Sequence, residues 1–168
     1  EISKMLSIML SLVDDFQQYE FVIAGAPSQS LDFYKKIIGS KNVAFVDNKT
    51  YDLLSVSYAA LVTSGTATLE TALFKVPQVV CYKGSIISYQ IAKRIITLRF
   101  ISLVNLIMDK EVVKELIQKD FTKKNLTKDE AILLGSLFSG KKSITIGGGS
   151  NYVPSVNEAK KMLRSHLN

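Results

Sequence analysis

Cysteine and histidine are close to absent from this chain, with one of each in 168 residues. A single Cys81 cannot build a disulfide framework or a cysteine-based zinc site, so a reducing compartment is the default. Set in the apolar run QVVCY, it reads as a small buried hydrophobe. The single His166 has no Ser, Cys or Asp pattern around it, and no catalytic triad can be assembled. Initiating Met, signal peptide and charged tail are all missing. The chain opens mid-pattern at Glu1-Ile2, which reads as a piece of something longer. An uninterrupted apolar span is lacking too: Gly84 to Met108 carries Lys93, Arg94 and Arg99 in its middle, a penalty of several kcal/mol for a membrane-spanning helix. With no arginine-rich arm and no aromatic-basic repeat, nothing supports nucleic acid as a partner. The net charge of +6 comes from spread lysines and favours an anionic ligand or surface.

What is present suits one domain. Apolar residues make up 47% of the chain, enough to close a core covering about 70% of the unfolded surface. Ile2 to Val13 is apolar at spacings of three and four and predicts a helix. Tyr19–Ala24, Asn42–Val46, Tyr58–Thr63 and Gln78–Tyr82 are short apolar runs that predict strands. Ser28 or Ser30 caps a helix between the first two, Asp47-Asn48 leads into another, and a third follows Thr66. Such alternation predicts a parallel sheet with helices on both faces, and ligands beyond the carboxyl ends of its strands. Further helices are expected over Ser85–Thr97 with a basic face, over Asp109–Lys119, after a capping box at Thr127–Glu130, and after a second box at Ser155–Glu158. The basic helix reads as a sheet-covering element with a solvated face or as a contact for anionic headgroups. Ser139 to Tyr152, with Gly147-Gly148-Gly149, lacks the lysine and helix of a P-loop and is expected to be a flexible connection.

Two places suggest a ligand. Thr63-Ser64-Gly65-Thr66 joins a strand to a helix, where unpaired backbone N–H groups and small residues suit a phosphate or diphosphate. Glu70, on that helix, is too far from Ser64 or Thr66 for a capping box and has Phe74 rather than a cation four residues on, so its carboxylate has no local role. Asn105 stands alone in the apolar stretch Leu103–Met108. Burying an unpaired amide costs about 1–3 kcal/mol, so it either caps local backbone or faces a polar ligand.

Four linked features resemble lipid-A-disaccharide synthases, glycosyltransferases of the GT-B type: SGTATLE at Ser64–Glu70; Val76-Pro77 leading to Val80–Lys83; IAKR at Ile91–Arg94; and SLVNL at Ser102–Leu106 followed by EVVKELI at Glu111–Ile117. The resemblance covers nearly the whole chain. It implies a Rossmann-like domain, the C-terminal nucleotide-sugar-binding half of a GT-B fold, over residues 1–150, and a crossover helix over 151–168 that would pack on an N-terminal domain. It implies a UDP-2,3-diacylglucosamine donor, transfer to 2,3-diacylglucosamine 1-phosphate without a metal or other cofactor, and a peripheral position on the cytoplasmic face of the inner membrane. Ser64, Gly65, Thr66 and the adjoining Ala67 would meet the diphosphate, Glu70 the ribose hydroxyls, and Asn105 the donor, although Val104 replaces the family's proline. Val46 and Tyr82, on the same rim, complete the expected set. The general base and a Gly-Ser-Arg loop would precede Glu1, so this portion alone should be inactive. The last helix could join copies of the chain into an oligomer. The rivals are another UDP-sugar enzyme, such as a UDP-N-acetylglucosamine 2-epimerase, and a non-catalytic α/β binding domain.

Overall fold

The computed structural model describes residues 2–63, 65–84, 99–129 and 143–147. Within them six strands form one parallel sheet: β1 (Glu20–Ala24), β2 (Ala44–Val46), β3 (Ser57–Thr63), β4 (Gln78–Tyr82), β5 (Lys114–Ile117) and β6 (Ser143–Gly147), in the spatial order β2-β1-β6-β3-β4-β5. The first four lie within a residue or two of the apolar runs that predict them. A parallel strand is covered on both faces, and burial accordingly runs unbroken from Ser57 to Val62 on β3.

The helices among the described residues are α1 (Ile2–Leu10), α2 (Leu31–Ile38), α3 (Thr50–Val56), α4 (Ala67–Leu73), α5 (Leu103–Met108) and α6 (Lys123–Lys128). Strand alternation divides the core between two faces. Phe21, Ile23, Leu61, Ile144 and Ile146 pack with Met5, Leu6, Met9 and Leu10 of α1, Tyr34 of α2 and Leu126 of α6. Their neighbours Val22 and Ala24 meet Leu53 of α3, while Ala60 and Val62 meet Leu54 of α3 and Ala67 of α4. Of the two candidate caps for α2, Ser30 is used, its Oγ accepting from the Phe33 amide at 3.3 Å. Cys81 is fully buried, and loss of hydration pushes its thiol pKa up, which keeps the sulfur neutral.

Three expectations fail. Asp109–Lys119 is not a helix, because Asp109 turns left-handed (φ 52°) at the end of α5 and the Val112 and Val113 amides bond the Asn105 side chain instead of carbonyls one turn back. The chain is thereby delivered as β5, paired with β4 from Val79–Lys114 to Tyr82–Ile117. Thr127 does not open a helix; it lies inside α6, with Oγ1 donating to the Lys123 carbonyl (2.9 Å), and the cap of α6 is Thr122. The stretch read as a flexible connection contains β6, held in the middle of the sheet between β1 and β3. Its Thr145 hydroxyl bonds Ser57 on β3, a partner 88 residues away. The basic helix at Ser85–Thr97, the Ala131–Phe138 helix and the 151–168 segment lie outside the described residues.

Candidate functional site

The carboxyl ends of the strands form one rim. Ala24 is level with Val46 on one side and Gly147 on the other, Thr63 is level with Cys81, and Tyr82 with Ile117. The Gly25 amide closes the β1–β2 end on the Val46 carbonyl at 2.9 Å, and the Gln118 amide closes the β4–β5 end on the Tyr82 carbonyl at 2.8 Å.

At the centre, β3 gives way to α4 through Gly65, whose φ of 125° suits glycine and strains any other residue. Gly65 is exposed, Thr66 half-buried and Ala67 buried. The Thr68, Leu69 and Glu70 amides are already bonded to the Gly65 and Thr66 carbonyls, and the Thr68 hydroxyl donates to Gly65 O at 2.8 Å. The Thr66 hydroxyl makes no capping bond. Donors for a ligand are therefore sought among the amides of Gly65, Thr66 and Ala67 and the Thr66 hydroxyl. Ser64 lies outside the described residues.

Glu70 stands one turn further along α4 and is only 2% exposed. An amphipathic helix usually leaves a polar face to water, but α4 is buried from Ala67 to Ala72, because α5 covers the face turned away from the sheet through Leu69, Ala72 and Val104. Glu70, expected from spacing to have no local role, makes an interaction within the fold. A buried carboxylate without one would be strongly disfavoured.

Asn105 resolves toward the capping alternative. Its Nδ2 donates to the Val113 carbonyl and to Glu115 Oε1, each at 2.8 Å, while its Oδ1 accepts the Val112 amide at 2.8 Å and the Val113 amide at 3.0 Å. Two donors and two acceptor positions are all that a side-chain amide has. The placement facing a donor is thus corrected: Asn105, fully buried, is spent on joining α5 to β5. Glu115, which carried no separate expectation, completes the clamp by accepting the Ile101 amide at 2.9 Å and the Ser102 amide at 3.0 Å. The signal available was an acidic residue inside an otherwise apolar ELI triplet.

The remaining positions separate. Tyr82 lies one strand from the Gly65 turn, half-buried. Val46 is three strands away, roughly 14 Å at the usual strand spacing, and packs against Val22, Ala24 and Leu53. The structure brings Gly65, Thr66, Ala67, Glu70 and Tyr82 to one part of the rim and leaves Val46 at its edge.

A family model described as lipid-A-disaccharide synthetase matches residues 1–145. The chain belongs to the lipid-A-disaccharide synthase family. It is 32% identical over 142 residues to the lipid-A-disaccharide synthase of Anaeromyxobacter dehalogenans (strain 2CP-C), covering 80% of this chain and 37% of that protein. It is 36% identical over 124 residues to that of Psychromonas ingrahamii, covering 71% and 32%. A shorter match to the Acidobacterium capsulatum synthase reaches 47% over 78 residues, 46% of this chain and 20% of the relative. The matched segments thus span between a fifth and little more than a third of the length of these relatives. Members of the family are glycosyltransferases of lipid A biosynthesis, and the parallel α/β sheet agrees with a GT-B domain. Among the described residues, no helix is long and apolar enough to cross a membrane.

Proposed function

We propose that this domain is the donor-binding half of a lipid-A-disaccharide synthase. In the whole protein, 2,3-diacylglucosamine would pass from UDP to 2,3-diacylglucosamine 1-phosphate at the inner face of the inner membrane. The observation that carries the reading is the Gly65–Glu70 unit: an exposed positive-φ glycine at a strand end, small residues after it, and a buried carboxylate one turn on. Gly65, Thr66 and Ala67 would donate to the diphosphate, with Ser64 adding its hydroxyl. Glu70 would accept from the ribose hydroxyls, and Tyr82 would border the sugar side of the same ligand. Asn105 and Glu115 act through the fold, tying α5 to β5, and α5 in turn packs on α4 through Leu69, Ala72 and Val104.

The chemistry is electrostatic. As the glycosidic bond to phosphate breaks, negative charge grows on UDP, and N–H donors already aimed at it stabilise that charge without reorganising. On this reading the general base lies in the part of the protein before Glu1, so this domain alone would bind UDP and transfer nothing. Turnover by the full-length protein tests the assignment: transfer is expected with diacylated UDP-glucosamine and not with UDP-N-acetylglucosamine. Epimerisation of the latter, or no turnover of either, would overturn it.

A further inference from the structure

Among the described residues, two buried side-chain amides keep one atom without a hydrogen-bond partner: Oε1 of Gln78 and Nε2 of Gln118. Gln78 opens β4 at the amino end of the sheet, and its Nε2 donates to the Thr68 carbonyl at 2.9 Å, tying β4 to α4. Gln118 stands at the opposite end. It follows β5 directly on the carboxyl rim, and its backbone amide is the one that bonds the Tyr82 carbonyl.

The backbone of Gln118 is unusual as well. Among the described residues, Asn48, Lys75, Asp109 and Gln118 are the non-glycine positions with positive φ, between 52° and 55°. Asn and Asp tolerate this region. Lys75 and Asp109 lie at the ends of α4 and α5, where a left-handed residue commonly closes a helix. Gln118 has neither reason, being a longer side chain that follows a strand. A left-handed backbone costs free energy at such a residue, and so does a buried N–H that bonds nothing. Methionine would fill the same space without the second cost. Both costs fall on one residue at the end of the sheet where ligands of parallel α/β sheets bind, and a ligand atom accepting from Nε2 accounts for them.

The sheet order indicates which part of the ligand that is. Gly65 follows β3, Tyr82 ends β4 and Gln118 follows β5, and these strands are neighbours. Gln118 is therefore two strand spacings, roughly 10 Å, from the end of β3, with Tyr82 between. That is beyond a diphosphate held at the Gly65 turn, on the side of Tyr82. A carboxamide N–H is also a neutral donor, suited to a neutral oxygen.

We propose that Gln118 binds the sugar half of the UDP-sugar donor, with Nε2 donating to a hydroxyl or acyl carbonyl oxygen there. The inference rests on the donor-binding reading above and divides that site: Gly65–Glu70 holds UDP, and Tyr82 with Gln118 holds what UDP carries.

The test compares two ligands on the full-length protein, without acceptor, by calorimetric titration. Gln118→Met keeps the length and unbranched shape of the side chain and removes the donor. Its affinity for UDP-2,3-diacylglucosamine is expected to fall about tenfold, while its affinity for UDP stays within about twofold. Its melting temperature is expected to hold or rise, because an unpaired buried group is gone. Equal losses for both ligands, or no loss for either, would overturn the inference and leave Gln118 as a residue of the fold. If the unaltered protein does not bind UDP, the donor-binding reading falls and this inference with it. A second measurement needs no substitution: the side-chain amide resonance of Gln118 is expected to shift with the UDP-sugar and not with UDP. A resonance that ignores the UDP-sugar would overturn the inference even where the variant does not fold.

Discussion

Asn105→Leu is expected to lower the unfolding free energy by about 3–6 kcal/mol, from a total that for such domains is about 5–15 kcal/mol. Leucine matches the volume but none of the four hydrogen bonds. It would leave the Val112 and Val113 amides and the Val113 carbonyl without their present partner, and would remove one donor from Glu115. Each buried group left unpaired costs about 1–3 kcal/mol, and water reaching Val112, which is exposed, recovers part of it. Urea unfolding, read as a shift in midpoint at constant slope, measures the change. Glu115→Gln should be destabilising too, because its amide nitrogen would face backbone donors. The double variant should lose less than the two singles together, since both remove the same clamp. A loss below about 1 kcal/mol for Asn105→Leu would be ordinary for a surface site and would show that the clamp does not hold β5 in place.

Glu70→Ala is expected to weaken UDP binding by tenfold to hundredfold, roughly one to two hydrogen bonds to a charged acceptor at about 1.5–3 kcal/mol each, less what water recovers. Glu70 is buried at the start of α4 beside the Gly65 turn, where a carboxylate can accept two neighbouring ribose hydroxyls. The same residue is engaged within the fold, so its removal also touches stability. Glu70→Gln separates the two effects: it keeps size and one acceptor, and should retain more of the melting temperature than of the UDP affinity. Affinity for UDP that survives both substitutions would remove Glu70 from the site.

The β1–β4 half of the sheet was legible because a strand buried on both faces is written as a short apolar run with turn residues at its ends. YEFVIA before Gly25-Ala26-Pro27 and QVVCY after Pro77 are examples. Two of the three failures, those at β5 and β6, have a common physical origin. Val112, Val113, Leu116 and Ile117 satisfy helical spacing, and what makes them strand is the side chain of Asn105 taking the amides that a helix would use. SITIG is short and flanked by glycines, and becomes central because β1 and β3, distant in sequence, leave a gap that it fills. Both decisions are made by partners that local pattern does not contain. The candidate site divides in the same way. The Gly65 turn and Glu70 could be placed from local spacing, whereas the choice between cap and ligand at Asn105 depended on where the Val112–Glu115 backbone lies.

Calorimetric titration of the chain with UDP tests the central claim most directly. One saturable site is expected, with affinity lost in Glu70→Ala under conditions where that variant remains folded. Absence of saturable binding by the unaltered chain, or equal affinity in the variant, would contradict the assignment of Gly65–Glu70 as the nucleotide clamp.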